Sequence, residues 1–458
     1  MTRITRWVGL SLATSMLWLA GGCDPDDPPA DDDTTEDGWP EIEPAELQAG
    51  AANGYLELPV GLPLSAYTGR SNLFGGGGGD GRDSAYVVDF APSTGVQSAV
   101  PLHVVWLQSG GRNALLVKID IAYAFDGLVN EIERQVGELT GVDVTDRVFL
   151  MTGHSHSAYG DFSQAHFLFL GHDRYNREIF ERIGAQTAAL AAGAHEQLQP
   201  AAMGVGLDPD FDPDDEIFRL RRSEHFGLVD DFGTVVGDGY KDPNLYLLRI
   251  DASQGTADAT DDEPLAVLFG FGIHGTVMSE DNSMVSAESS GAIEYKLAQH
   301  FDASVSVMHF QTNGGDMSPA GGQDDFARME LIGERASPRI LALWDQTATS
   351  SEPVRLEALV RTVPMGRDIR VTRNGTVDLH YLPYEEGYIP DGVIYDADGV
   401  SANPYDEFVA EHGAALCGDD SIEIPFVGMG VDVFPYNSCA VVELVAALFP
   451  FAFYTDLY

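Results

Sequence analysis

Short apolar runs of strand length alternate along this chain with longer stretches of helical period, and that alternation restricts it to an α/β architecture. Asn113–Ile121, Val148–Gly153, Tyr246–Ile250, Leu265–Ile273 and Ser304–Gln311 read as strands. Phe125–Leu139, Tyr175–Leu198, Ser289–His300 and Asp324–Ala348 read as helices. In the first helix Leu128, Val129, Ile132, Val136 and Leu139 recur at the spacing of one buried face. The pattern predicts a mixed central sheet with flanking helices in one large catalytic domain, 49–350, followed by a strand- and loop-rich part of the same domain, 351–458. No internal repeat is present.

Three of the strand-like runs end in residues that carry chemistry. Val148–Gly153 runs into His154-Ser155-His156, and Leu265–Ile273 runs into His274-Gly275-Thr276. Ser304–Gln311 runs into Asn313-Gly314-Gly315-Asp316-Met317-Ser318-Pro319. On extended backbone His154 and His156 point to one face, roughly 6.6 Å apart along the strand. Imidazoles so placed can converge on one metal, or one can bind metal while the other faces substrate. A serine on a Gly-Gly turn beside an aspartate is a candidate nucleophile. The same stretch also suits a plain Asx-type turn before a helix, with Asp316 or Ser318 capping that helix, and a lone histidine after a strand is commonly structural. Three such ends together are more specific than any one, because ligands of open α/β sheets gather beyond the carboxyl ends of strands.

These segments resemble those of the neutral (alkaline, non-lysosomal) ceramidases. Gly153-His154-Ser155-His156-Ser157 is similar to their Thr-His-Thr-His-Ser segment, and Phe271–Thr276 to their Phe-Ala-Val-His-Gly-Thr. Asn313–Pro319 is similar to their Asn-x-Gly-Asp-x-Ser-Pro motif, Met284–Gly291 to their Leu-Ile-Ser-Ser-Asp-Asn-Lys-Gly run, and Arg222-Ser223 falls where they have Asn-Arg-Ser. The resemblance implies an amidohydrolase that cleaves N-acyl lipids such as ceramide with Zn²⁺ as cofactor. It implies that His154 and His274 are zinc ligands, and that His156 beside the metal holds or protonates the reacting group. Ser318, next to Asp316, would act on the amide, and Arg222 would bind substrate. The glutamate and tyrosine that complete the zinc site in that family have no clear counterpart here; His156, Asp316 or Glu288 could supply a third ligand. Ser290 stands where the family run has lysine. The sequence also leaves open another amide or ester hydrolase on this scaffold, or a non-catalytic lipid-binding protein.

The N-terminus reads as a lipoprotein export signal, residues 1–22: Arg3 and Arg6 precede an apolar stretch, and Leu19-Ala20-Gly21-Gly22 leads to Cys23. Lipidation of Cys23 would tether the protein to a membrane, in the periplasm or at the cell surface. Residues 23–48, rich in Asp, Glu and Pro, read as a disordered spacer. With Cys23 lipidated, Cys417 and Cys439 form an even pair suited to a disulfide in an oxidising compartment. Net charge is −47 with lysine only at Lys118, Lys241 and Lys296, a surface that repels nucleic acid and points to a salty habitat. The glycines at 75–79 lack the Lys-Ser/Thr and the helix of a phosphate cradle.

Overall fold

The computed structural model describes residues 42–71, 84–163, 169–220, 228–229, 235–237, 241–253, 263–321, 326–358, 360, 369–373 and 376–381. Arg222, the three cysteines, the glycines at 75–79, the export signal and most of 351–458 lie outside them.

The strands are β1 (Leu47–Leu56), β2 (Val100–Ser109), β3 (Arg112–Ile119), β4 (Val148–Thr152), β5 (Gln199–Asp208), β6 (Leu245–Ala252), β7 (Glu263–Phe271) and β8 (Ser306–Gln311). They form one eight-stranded sheet in the order β8-β7-β6-β5-β1-β2-β3-β4. The outermost pairs, β7–β8 and β3–β4, are parallel, and every pair between them is antiparallel. The long helices among the described residues are α1 (Asp126–Thr140), α2 (Arg177–Glu196), α3 (Glu288–Ala298) and α4 (Phe326–Gln346).

The sheet folds over on itself, so that edge strand β8 packs against β2, β3 and β4. Leu47, Ala49, Val105, Leu107, Ala266, Leu268 and Met308 fill the space between its two halves. Outside one half, Leu128, Ile132 and Val136 of α1 join Ile179 and Ile183 of α2 over Trp106, Leu115 and Val117. Outside the other, Ile293 of α3 and Ile340 of α4 cover Val267, Phe269 and Val307. Burying such side chains contributes roughly 1.5–3 kcal/mol each. The arrangement is a mixed α/β fold of four layers, with helices on both outer faces.

Local signals set the helix ends. Gly141 takes a left-handed φ of 71° after α1, and its N–H donates to Gly137 O. The Asn176 side chain accepts from Glu178 N at the start of α2.

Three strands, β1, β2 and β5, are absent from the sequence reading, and β1 begins inside the stretch read as spacer. For β1 and β5 the reason is physical. Their alanines and glycines lower strand propensity, yet the glycines are where helix ends press on the sheet. A Cβ on Gly50 would lie 2.0 Å from Ala194 O, and one on Gly204 would lie 2.2 Å from Ala348 O.

Candidate metal centre and active site

The fold-over brings the carboxyl end of β4, on one edge of the sheet, to the carboxyl ends of β7 and β8 on the other. β4 stops at Thr152 and the chain turns. Gly153 must be glycine, because a Cβ there would lie 1.9 Å from Asp120 Oδ1. His154 then adopts a left-handed φ of 57°. The expectation of two histidines on one face of an extended strand is therefore corrected: a turn, not the strand pleat, directs both rings to the same point.

Beyond the turn, Ser155 forms a parallel bridge with Gly275, and His156 N–H donates to Gly275 O at 2.9 Å. A Cβ on Gly275 would lie 2.1 Å from His154 O, so only glycine lets the two histidine loops meet. His274 N–H in turn donates to Met317 O at 2.7 Å.

At this junction three imidazoles converge. His154 Nε2 lies 3.1 Å from His274 Nε2 and 3.2 Å from His156 Nε2, and His156 and His274 are 3.2 Å apart at the same atoms. The rings of His154 and His274 stand at 81°, so edges rather than faces meet. His154 Nδ1 is 2.5 Å from Ala122 O, and His274 Nδ1 is 3.0 Å from Gly314 O. A carbonyl only accepts, so each of these Nδ1 atoms carries the proton and each Nε2 presents its lone pair inward. The Nε2 lone pairs of His154 and His274, directed at one another at 3.1 Å, repel unless a proton or a cation lies between them. The centre of the triangle is about 1.8 Å from each nitrogen, just inside the Zn–N bond length of about 2.0–2.1 Å. The donor set therefore fits a metal ion, and it is the one three-ligand cluster among the described residues.

His156 is held from behind. Arg70 is buried, and its guanidinium donates to the carbonyls of His156, Ser65, Ser279 and Glu280. Burial pulls Arg70 down to about 10, which leaves it charged at neutral pH. The Tyr67 ring meets His156 edge-on at 4.7 Å. Burial, then the neighbouring imidazoles, hold His156 well below the usual histidine value, so it is neutral and able to ligate.

The Asn313–Pro319 stretch caps no helix. Gly314–Asp316 is a single 3-10 turn, and Met317–Pro319 is a short strand paired antiparallel with Phe218–Leu220, Ser318 opposite Arg219. Met317 is buried and Ser318 is half-buried. Ser318 thus follows the residue whose carbonyl receives the His274 N–H. Beside the turn, Asp242, Tyr246, Phe310, Thr312 and Asn313 line an open recess of about 540 Å³.

Glu288, considered from the sequence as a third ligand, is engaged elsewhere. One carboxylate oxygen accepts from Ser157 Oγ at 2.7 Å, and the other from Val277 N at 2.6 Å and Met278 N at 3.3 Å. It braces the loops that carry His156 and His274. Arg70, Tyr67 and Gln311, which also support the site, carry no motif in the sequence.

No family model matches the chain. Over 226 residues, 47% of this chain and 30% of the relative, it is 23% identical to neutral ceramidase A of Dictyostelium discoideum. Over 227 residues, with the same two shares, it is 24% identical to neutral ceramidase B of that organism. Its fold is similar to that of the neutral ceramidase of Pseudomonas aeruginosa, with a TM-score of 0.54 and 18% identity over 66% of this chain and 45% of that one. The matched region therefore spans less than half the length of each of these proteins.

Proposed function

We propose that this chain, a divergent member of the neutral ceramidase family, is a zinc-dependent amidohydrolase of ceramide-like N-acyl lipids. The observation that carries the reading is the triangle of Nε2 atoms of His154, His156 and His274. These three imidazoles would hold the ion, with His156 as the third ligand. Zn²⁺ bound there would polarise the amide carbonyl and lower the pKa of a neighbouring hydroxyl.

The chain's own residues do the rest. Ser318 is the serine that acts on the amide, positioned through the Met317–His274 hydrogen bond. Asp316, the last residue of the 3-10 turn, would assist it. Arg222 would bind polar groups of the substrate. Tyr246 and Phe310 in the recess beside Asn313 give apolar surface for a hydrocarbon chain. Hydrolysis adds water across the C–N bond and releases a sphingoid amine and a fatty acid.

We also place the protein outside the cytoplasm, tethered to a membrane through a lipidated Cys23, on the strength of the Arg3–Cys23 signal. No helix among the described residues is long and apolar enough to cross a membrane.

The test pairs metal analysis with a fluorescent N-acyl sphingosine assay run against simple esters. Stoichiometric zinc, amide turnover, and a loss of about 10³-fold or more in Ser318→Ala are the expected results. Ester turnover without amide turnover would remove the ceramidase reading.

A further inference from the structure

Gln311 is the last residue of β8, and its carboxamide reaches all three strand ends at once. Nε2 donates to Gly153 O at 2.9 Å and to the carbonyl of Ile273. Oε1 accepts from Ile273 N–H at 3.0 Å. Gly153 and Ile273 are the residues immediately before His154 and His274. A Cβ on Gly314 would lie 2.8 Å from Oε1, so the same amide also packs on the turn whose carbonyl takes the His274 Nδ1 proton.

The chemistry of the site calls for an amide. One planar group must offer two N–H donors to two loops and one acceptor to a backbone N–H. Glutamate would set a carboxylate against two carbonyl oxygens, and leucine would leave all three partners without it. The Ser155–Gly275 bridge fixes the two histidine loops on their outward side. The Gln311 carboxamide fixes them on the side of the strands, so their separation is set from both.

We infer that Gln311 is a positioning residue: it holds His154 and His274 at ligating distance and thereby sets the metal affinity of the cluster. This rests on the metal-centre reading above. It assigns to Gln311 no contact with substrate or ion.

The test is a chelator-competition titration of Zn²⁺ on the purified full chain, with apo melting temperatures measured alongside. Gln311→Glu and Gln311→Leu should each weaken zinc by about 10–100-fold, the usual cost of losing an outer partner of a metal ligand. Val136→Ala, on the buried face of α1, should lower the apo melting temperature and keep the wild-type affinity within about threefold. Gln311→Glu is nearly isosteric and guards against a folding failure in Gln311→Leu. Wild-type affinity in both Gln311 variants would overturn the inference. So would an equal loss in Val136→Ala, or failure of both Gln311 variants to fold, since either makes the effect one of general stability. A wild-type chain that binds no zinc would instead sink the metal-centre reading, and this inference with it.

Discussion

Two polar clusters lie back to back at Gly153, and they are built on opposite terms. Beneath the glycine, fully buried Lys118 donates to Asp120, to Ser290 Oγ at 3.1 Å and to Glu294 Oε1 at 2.8 Å. His309 closes the group, with Nδ1 3.0 Å from Ser290 Oγ and its backbone N–H on Glu294 at 2.6 Å. Above the glycine, three imidazoles aim nitrogen at nitrogen. The lower cluster contains its own cation. The upper one has the ligands of a cation and no cation among its own side chains. Buried carboxylates that hold their own ammonium are compensated from within, whereas ligands that lack a cation call for one from outside.

Substitution separates the two most sharply. Lys118→Met leaves Asp120 and Glu294 buried without their ammonium, and should cost about 3–5 kcal/mol that no metal restores. His274→Ala removes one of the two opposed lone pairs of His154 and His274, so the metal-free protein should lose far less. It should, however, lose the stabilisation that saturating zinc gives the wild type, about 4 kcal/mol at a thousand times Kd. Denaturant melts with zinc and with chelator give all four values. A Lys118→Met protein rescued by zinc, or a zinc response surviving in His274→Ala, would erase the distinction between the clusters.

The sequence made these two regions legible to different degrees. The histidines stand at the ends of apolar runs that announce strands, so it follows that each sits at a strand end. The fold-over that joins the sheet's two edges does not follow, because it depends on β1 and β5. Their Gly50, Gly204 and Gly206 read as breakers yet serve to admit helix ends. The lysine cluster was invisible for another reason. Lys118, Asp120, Ser290, Glu294 and His309 come from two strands and a helix at no fixed spacing, and only tertiary packing brings them together. Gln311 and Arg70 escape notice in the same way: their partners are backbone atoms, which leave no residue pattern. Glu288 was read from its place in a motif, and the structure gives it a bracing role instead.

A pH scan of the metal-free protein sharpens the contrast, since the buried groups titrate from both sides. Burial holds His103, His172 and His309 down at about 3. A depressed histidine contributes stability that is lost as pH falls from 6.5 through the folded value. Burial pushes Glu288 up to about 7 and Asp161 up to about 9, and Glu294 moves the same way. A raised carboxyl contributes stability that is lost as pH rises through the folded value. Between about pH 5 and 7 the two sets oppose each other, so the melting temperature should be nearly level there and fall on both sides. From pH 7 to 9 the loss should be on the order of 3 kcal/mol. Glu294→Gln should soften that alkaline arm, because an amide has no proton to lose. A melting temperature that climbs steadily to pH 9 would show that the carboxyls are not the groups that matter.

Salt gives the smallest effect and discriminates by depth. The net charge of −47 makes the surface repel itself, and the Debye length shrinks from about 10 Å at 0.1 M to about 3 Å at 1 M. Screening should therefore stabilise the wild type by on the order of 1–2 kcal/mol over that range. Lys118 and Asp120 are beyond the reach of mobile ions, their side chains having no exposed surface. The gap between wild type and Lys118→Met should accordingly stay constant while both curves rise with salt. A gap that closes would mean that solvent reaches the lysine cluster. A wild type indifferent to salt would mean that the acidic surface carries little net repulsion, and the salty-habitat reading would fall with it.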